Sequence, residues 1–273
     1  MKLTIDNYNI TIEEADQYEG QYAYDCTGRE HRTVLHIRQS DQDIIIKFLR
    51  PENNLSSWQN TFRTEYQILC CGDDRTGGTE RLPVPKIYRF EESASIVDRR
   101  NRQTYTSPVF ILEYVKGTVM QMISSCQAKA ILPCFFRDLC HSVIYYNTLD
   151  FFHMDLNDTN IILGRDGRVW LIDFTGAFLF QGETLLREQY VHCYLNNRQN
   201  NALLSADLCR NKCELLQTQM LLDLFLEFCD RMFHDDVLND RISTIGNIVL
   251  KADMPLTELE EKMSAFIKEY WNL

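Results

Sequence analysis

Two short apolar runs lie near the middle of the chain, Ile-Ile-Leu at 161–163 and Val-Trp-Leu-Ile at 169–172, separated by Gly164-Arg165-Asp166-Gly167. An Asp-Gly pair between two β-rich runs is a tight-turn signal, so an antiparallel hairpin is expected there. Upstream, residues 33–38 and 43–49 are β-rich and flank the polar turn 39–42, which predicts strands within 22–49. Residues 55–71 have helical spacing. Ser56 or Ser57 can cap them, and Trp58, Phe62, Glu65, Tyr66 and Leu69 fall on neighbouring turns. A polar loop at 72–81 and a charged turn at 98–102 follow, and an apolar strand at 108–115 then runs into Lys116-Gly117.

Helical periodicity dominates the remainder. Ile131, Phe135, Leu139, Val143 and Tyr146 form a stripe that predicts a helix over 128–149, with Pro133 near its start, where proline is tolerated. The apolar stretch QMLLDLFLEFCDRMF within 203–233 predicts a buried central helix. Residues 256–271 predict an amphipathic terminal helix with a Thr257/Glu260 capping box. No internal repeat or low-complexity segment interrupts the pattern.

Composition narrows the class without altering this map. The 273 residues are 45% hydrophobic and 25% charged, enough apolar material for one large core or two lobes. A net charge of -11 argues against nucleic acid or an anionic membrane as the main partner. No apolar run approaches the roughly 18 residues of a membrane span, and MKLTIDNYNITIEE has no signal-peptide core, so a cytoplasmic protein is expected. The 10 cysteines contain no C-x-x-C pair. Most stand in apolar or helical surroundings, as Cys134 does in ILPCFF, which predicts small buried hydrophobes under reducing conditions rather than a disulfide or zinc framework. Cys209 and Cys213 stand one helical turn apart, a spacing that sets two thiols on one face of a helix.

Three oxygen-bearing side chains bracket the hairpin. Asp155 and Asn160 precede its first run, and Asp173 ends its second. Pairing of the runs brings all three to one end of the ribbon, and such hard donors suit Mg²⁺, which takes one or two carboxylates together with phosphate and water. The pattern H-x-D-x-x-x-x-N from His153 to Asn160, followed by I-D-F from Ile172 to Phe174, resembles the catalytic loop and metal-binding segment of the protein-kinase-like superfamily. Further parts of that pattern stand upstream in order. Lys47 lies in an I-I-K-F strand, Glu65 lies on the 55–71 helix, and the 108–115 strand leads through Glu113 to Val115. A strand lysine is in most proteins a solvated residue, and a plain core strand also satisfies 108–115. Glu65 differs in lying beside the Phe62 and Leu69 face, where burial requires a cationic partner.

The resemblance implies an α+β, two-lobed protein-kinase-like fold. Residues 1–113 would form an N-lobe, a small antiparallel sheet with one main helix, and 114–273 a mostly helical C-lobe. It also implies ATP and Mg²⁺ as cofactors. Lys47, held by Glu65, would steady the α- and β-phosphates. Gly28, alone where the family commonly has three glycines, would let backbone N–H groups approach the phosphates. The backbone from Glu113 to Val115 would hold the adenine edge. Asn160 and Asp173 would bind Mg²⁺, and Asp155 would orient the attacking hydroxyl and accept its proton. His153 would prop the loop, while Asp158 and Thr159 have no assigned role.

Departures from the protein-kinase pattern bear on the substrate. Met154 stands where an Arg is usual, no A-P-E sequence follows, and Asn157 replaces the Lys of serine/threonine kinases. Residues 172–177 read I-D-F-x-x-A rather than D-F-G. In these respects the chain is similar to aminoglycoside- and choline-type phosphotransferases, which implies transfer of the γ-phosphoryl group of ATP to a hydroxyl of a small molecule. An atypical protein serine/threonine kinase acting on a protein substrate is the alternative. The sparse glycine loop supports a third reading, a pseudokinase acting as a nucleotide-binding or scaffolding module. Glu183, Glu188, Asp207, Glu214, Asp223, Glu227 and Asp230 would suit a cationic acceptor, although helix-surface carboxylates commonly serve only solvation.

Overall fold

The structure is a computed structural model describing residues 2–5, 8–11, 19–24, 30–37, 43–49, 56–74, 83–98, 103–181, 184–185, 209–251 and 255–271. It is mixed α and β, with antiparallel sheets. The chain divides into two compact units: the first holds the described residues up to 74 and 85–114, the second Pro83, Val84 and the described residues from 115 onward.

In the first unit, β1 (Lys2–Ile5), β2 (Tyr8–Thr11), β3 (Glu19–Tyr24), β4 (Glu30–Ile37), β5 (Ile44–Leu49), β6 (Ile87–Asp98) and β7 (Gln103–Glu113) form one antiparallel sheet, ordered β2-β1-β6-β7-β5-β4-β3. Helix α1 (Ser56–Asp74) packs on β6 and β7. The two-residue period of β5 sends Ile44, Ile46 and Phe48 into a cluster with Ala94, Ile96, Val109 and Ile111. The same period turns Lys47 to the opposite face, toward α1. There Phe110, its ladder neighbour, stacks on Phe62 at 5.3 Å between ring centres. Each such buried ring contributes about 1.5–3 kcal/mol. Where β5 meets Pro108, which has no N–H, the Ser107 hydroxyl accepts from the Leu49 N–H at 2.9 Å. The β1–β2 hairpin is not foreseen from sequence, since four-residue strands carry too few apolar positions to show a period.

In the second unit, β8 (Gly117–Val119), β9 (Phe151–Phe152), β10 (Ile161–Gly164), β11 (Val169–Leu171), β12 (Phe178–Gln181) and β13 (Thr184–Leu185) make two three-stranded sheets, β11-β10-β8 and β13-β12-β9. The expected hairpin is β10–β11, paired Ile161 with Leu171, Ile162 with Trp170 and Leu163 with Val169. Gly167 supplies the φ of 79° that its turn needs. Asp166 pins the turn by accepting from Trp170 Nε1 at 3.2 Å and Arg168 Nε at 3.0 Å. Burial pushes this carboxyl up, but those bonds outweigh it and hold the group below the usual range. Gly117 lets β8 approach β10 closely, since a Cβ there would stand 2.2 Å from the Leu163 carbonyl oxygen.

The helices of this unit are α2 (Ser125–Thr148), α3 (Arg210–Phe233), α4 (Asp236–Lys251) and α5 (Leu256–Trp271). Among the described residues no helix is long and apolar enough to cross a membrane. Helix α2 begins earlier than residue 128 because Ser124 and Gln127 form a capping box, with Ser124 N–H donating to Gln127 Oε1 at 3.1 Å. Pro133 therefore lies in the helix interior rather than near its start. The apolar face of α3 meets α2 through Phe225 on Phe136 at 4.3 Å and Phe228 on Phe135 at 6.1 Å. Residues 203–208 of the predicted central helix lie outside the described residues. Helix α4 is not foreseen; Asp235 caps it by accepting from Leu238 N–H at 3.0 Å. Helix α5 has the expected bounds, but the predicted Thr257/Glu260 box does not form, because Thr257 lies inside the helix, which starts at Leu256 after Pro255, and Glu260 accepts instead from the Ser264 hydroxyl at 2.9 Å.

The cysteine expectation holds for Cys140, Cys213 and Cys229, which are buried and free; burial pushes the Cys213 thiol up to about 12. It fails for Cys126 and Cys134, which are exposed. The core stripe of α2 runs through Leu132, Phe135, Phe136 and Leu139 and leaves those two outside it.

The Tyr270 hydroxyl of α5 donates to Asp235, tying the start of α4 to α5. That bond, with the Leu238 N–H, holds Asp235 below its ordinary value of 3.8, and the same bond pushes Tyr270 up. A depressed carboxyl contributes stability above its unfolded value and loses it as pH falls through the folded one. Between about pH 5 and pH 3 the urea midpoint is therefore expected to fall further in the wild type than in Tyr270→Phe. Equal acid slopes would remove the bond from the account.

Candidate functional site

In the first unit the Lys47 ammonium of β5 donates to both carboxylate oxygens of Glu65 on α1, at 2.9 and 2.7 Å. The two residues are 4% and 1% exposed, and Lys47 Nζ lies 5.5 Å from the centre of the Phe62 ring. Neither charge is tolerable alone at that depth. The strand period places the amine on this face, and α1 sets Glu65 three residues after Phe62, next to it on the helix surface.

In the second unit the loop 153–160 joins β9 to β10. Met154 and Leu156 are buried anchors, which leaves Asp155 and Asn157 partly open and Thr159 exposed. His153 is buried edge-on to Phe174, and its Nε2 lies 3.0 Å from the Ile172 carbonyl oxygen, so Nε2 carries the proton. Asn160 Nδ2 donates to the Asp155 carbonyl and to Asp155 Oδ2, both at 2.9 Å. The Asn160 carbonyl accepts from Ile172 N–H at 3.0 Å. Asp155 and Asn160 are thus in contact, and both ends of the loop are tied to the residue before Asp173.

Asp173 has a φ of 63°, a conformation uncommon outside glycine that costs about 1 kcal/mol or more and persists where neighbours enforce it. Here the two bonds to Ile172 precede it and a 3₁₀ turn, Phe174–Gly176, follows. Among the described residues no three His, Cys, Asp or Glu side chains group as metal ligands. The candidate donors for a cation are the Asp173 carboxylate and, since Asn160 Nδ2 is engaged by Asp155, the Asn160 amide oxygen. Two hard oxygens fit Mg²⁺, which fills its other positions with phosphate and water. They do not fit a thiolate- or imidazole-seeking ion.

The other sequence-predicted residues are placed as follows. Glu113, at the end of β7, is bound to Lys86 twice, its N–H donating to the Lys86 carbonyl at 2.8 Å and its Oε2 accepting from Lys86 N–H at 3.0 Å. Val115 is buried with Ile162 and Trp170 in the second unit. Gly28, Glu183, Glu188 and Asp207 lie outside the described residues. Glu214, Asp223 and Asp230 accept hydrogen bonds from Arg210, Gln219 and Asn239 of their own unit.

Two sets of contacts were not foreseen from sequence, those of Asn157, which was named only for the Lys it replaces, and those of Arg231. Asn157 bonds to Asp155 and Thr159, a local pattern that its Asn-x-Thr spacing signals. Arg231 of α3 reaches Asp158 Oδ2 at 2.7 Å and the Met120 carbonyl at 3.2 Å, and no sequence signal links residues so far apart.

No family model matches the chain. A stretch of 74 residues, 27% of the chain, is 31% identical to a Saccharomyces cerevisiae protein described as "Probable serine/threonine-protein kinase RTK1". The likeness reaches a kinase and no further. It takes in 12% of the yeast protein's length, so that protein's activity as a whole does not transfer with it.

Proposed function

We propose that this protein is an ATP- and Mg²⁺-dependent phosphotransferase of protein-kinase-like, two-lobed fold that moves the γ-phosphoryl group to a hydroxyl of a small molecule. The observation that carries this is the Asp155–Asn160 contact, in a loop tied by His153 and Asn160 to the segment that ends in Asp173. The buried Lys47–Glu65 pair supports it, because a held ammonium is a ready phosphate-binding group. Asp155 orients the attacking hydroxyl and takes its proton as the new O–P bond forms and the bond from the γ-phosphorus to the β–γ bridging oxygen breaks, with ADP as the leaving group. Lys47 binds the α- and β-phosphates, and Asn160 and Asp173 hold Mg²⁺. When bound, that ion neutralises charge on the phosphates.

Met154 favours a small acceptor. It is 2% exposed, so the position that carries an Arg in protein kinases is part of the apolar anchor of the loop. The yeast likeness favours the second reading, transfer to a protein hydroxyl. Purified protein with labelled ATP and Mg²⁺, offered a metabolite extract and in parallel a protein extract, decides between them. A phosphorylated metabolite identified by mass is the expected product. Label in protein alone establishes the second reading, and label in neither pool removes both.

A further inference from the structure

We propose that Asn157 is a positioning residue that aims the Asp155 carboxylate; the inference rests on the phosphotransferase reading above. Its amide orientation is settled by Thr159, whose backbone N–H can only donate. That N–H lies 3.0 Å from Asn157 Oδ1, and the Thr159 hydroxyl reaches the same oxygen at 2.5 Å. The NH₂ group is thereby turned to Asp155, where it meets Oδ1 at 3.0 Å and the main-chain carbonyl at 3.2 Å.

Asn160 holds the other carboxylate oxygen, Oδ2, at 2.9 Å. One amide on each oxygen fixes the plane of the carboxylate as well as its position, which a single bond would leave free to rotate. Each oxygen keeps further lone-pair capacity for an incoming hydroxyl. Met154 and Leu156, buried on either side of Asp155, fix the backbone beneath it. Asn157 therefore sets the direction of the side chain rather than the path of the loop, and it does so without bringing a charge to the carboxylate. A displacement of about 1 Å at such a group costs on the order of 100-fold in rate.

The test measures release of inorganic phosphate from Mg²⁺-ATP, with water in place of the acceptor. Asn157→Asp keeps an acceptor for Thr159 but faces Asp155 with a second carboxylate, and is expected to lower kcat about 100-fold with KM for ATP changed less than about twofold. Asn157→Ala, the variant to rely on if Asn157→Asp does not fold, is expected to lose about 10-fold or more in kcat. Asn157→Ser, which can still donate to Asp155, is expected to recover part of that loss. Wild-type kcat in Asn157→Ala, or a raised KM with kcat intact, overturns the positioning role while the phosphotransferase reading stands. If the wild type releases no phosphate to water, the same comparison is read as label transferred to the extracts, and no transfer there either overturns both.

Discussion

Glu65→Ala is expected to lower the unfolding free energy by about 3–5 kcal/mol, because it leaves the Lys47 ammonium buried with its main counter-charge removed. Both oxygens of Glu65 lie within 3 Å of Lys47 Nζ, and both residues are almost fully out of solvent. The large figure measures the stranded charge, not the net worth of the pair, since taking two ions out of water offsets most of their attraction. The double variant Lys47→Met with Glu65→Leu should therefore recover most of the lost stability. Under the proposed function it should still lose ATP binding, because the phosphate-binding amine is gone. Urea unfolding of the three proteins checks the first part and calorimetric titration with ATP the second. A loss below about 1 kcal/mol in Glu65→Ala would mean that Lys47 finds water or another partner at once.

Under the proposed function, Asp155→Asn is expected to lower phosphoryl transfer by about 10²–10⁴-fold, the range supplied by a positioned general base. On that reading ATP affinity should change little, since the residues proposed to bind it are untouched. The substitution also sets an amide against two amide donors, because Asn157 and Asn160 each donate to the native carboxylate. At least one of those bonds must be lost, at a cost of about 1–3 kcal/mol in stability. Turnover and ATP binding measured on the same folded preparation separate the two effects. Turnover within threefold of wild type would remove Asp155 from the proton-accepting role.

Much of the second unit's chemistry is legible because it is local. The Asp155 to Asn160 spacing, the Asp-Gly turn and the apolar runs on either side lie within 21 residues, from 153 to 173, so turn chemistry and strand period nearly determine their arrangement. The pairing of Ile161 with Leu171 is fixed by the three-residue loop 165–167, closed by the Gly164 N–H on the Arg168 carbonyl. Element boundaries were less legible. Helix α2 begins at a Ser124/Gln127 box and α5 after Pro255, and in both places the expected start or cap was displaced by a cap or proline close by. Helix α4 was overlooked although Leu238, Ile242 and Val249, all buried, stand at helical spacing; it packs on α3 so closely that a Cβ on Gly246 would fall 2.1 Å from Leu222 Cδ2.

By itself the sequence determined the hairpin, the apolar faces of α1, α2 and α3, and which residues carry oxygen and ammonium groups, because each depends on spacings shorter than one element. The contact of Glu65 with Lys47 across 18 residues was expected only through the family resemblance and is made by the tertiary structure, whereas nothing in the sequence signalled that Arg231 holds Asp158 across 73. Contacts of that kind are set by how the elements bury their apolar sides, and polar partners are then chosen from whatever that packing brings within 3 Å. A carboxylate beside an apolar stripe announces that it needs a cation; which cation arrives is a property of the fold.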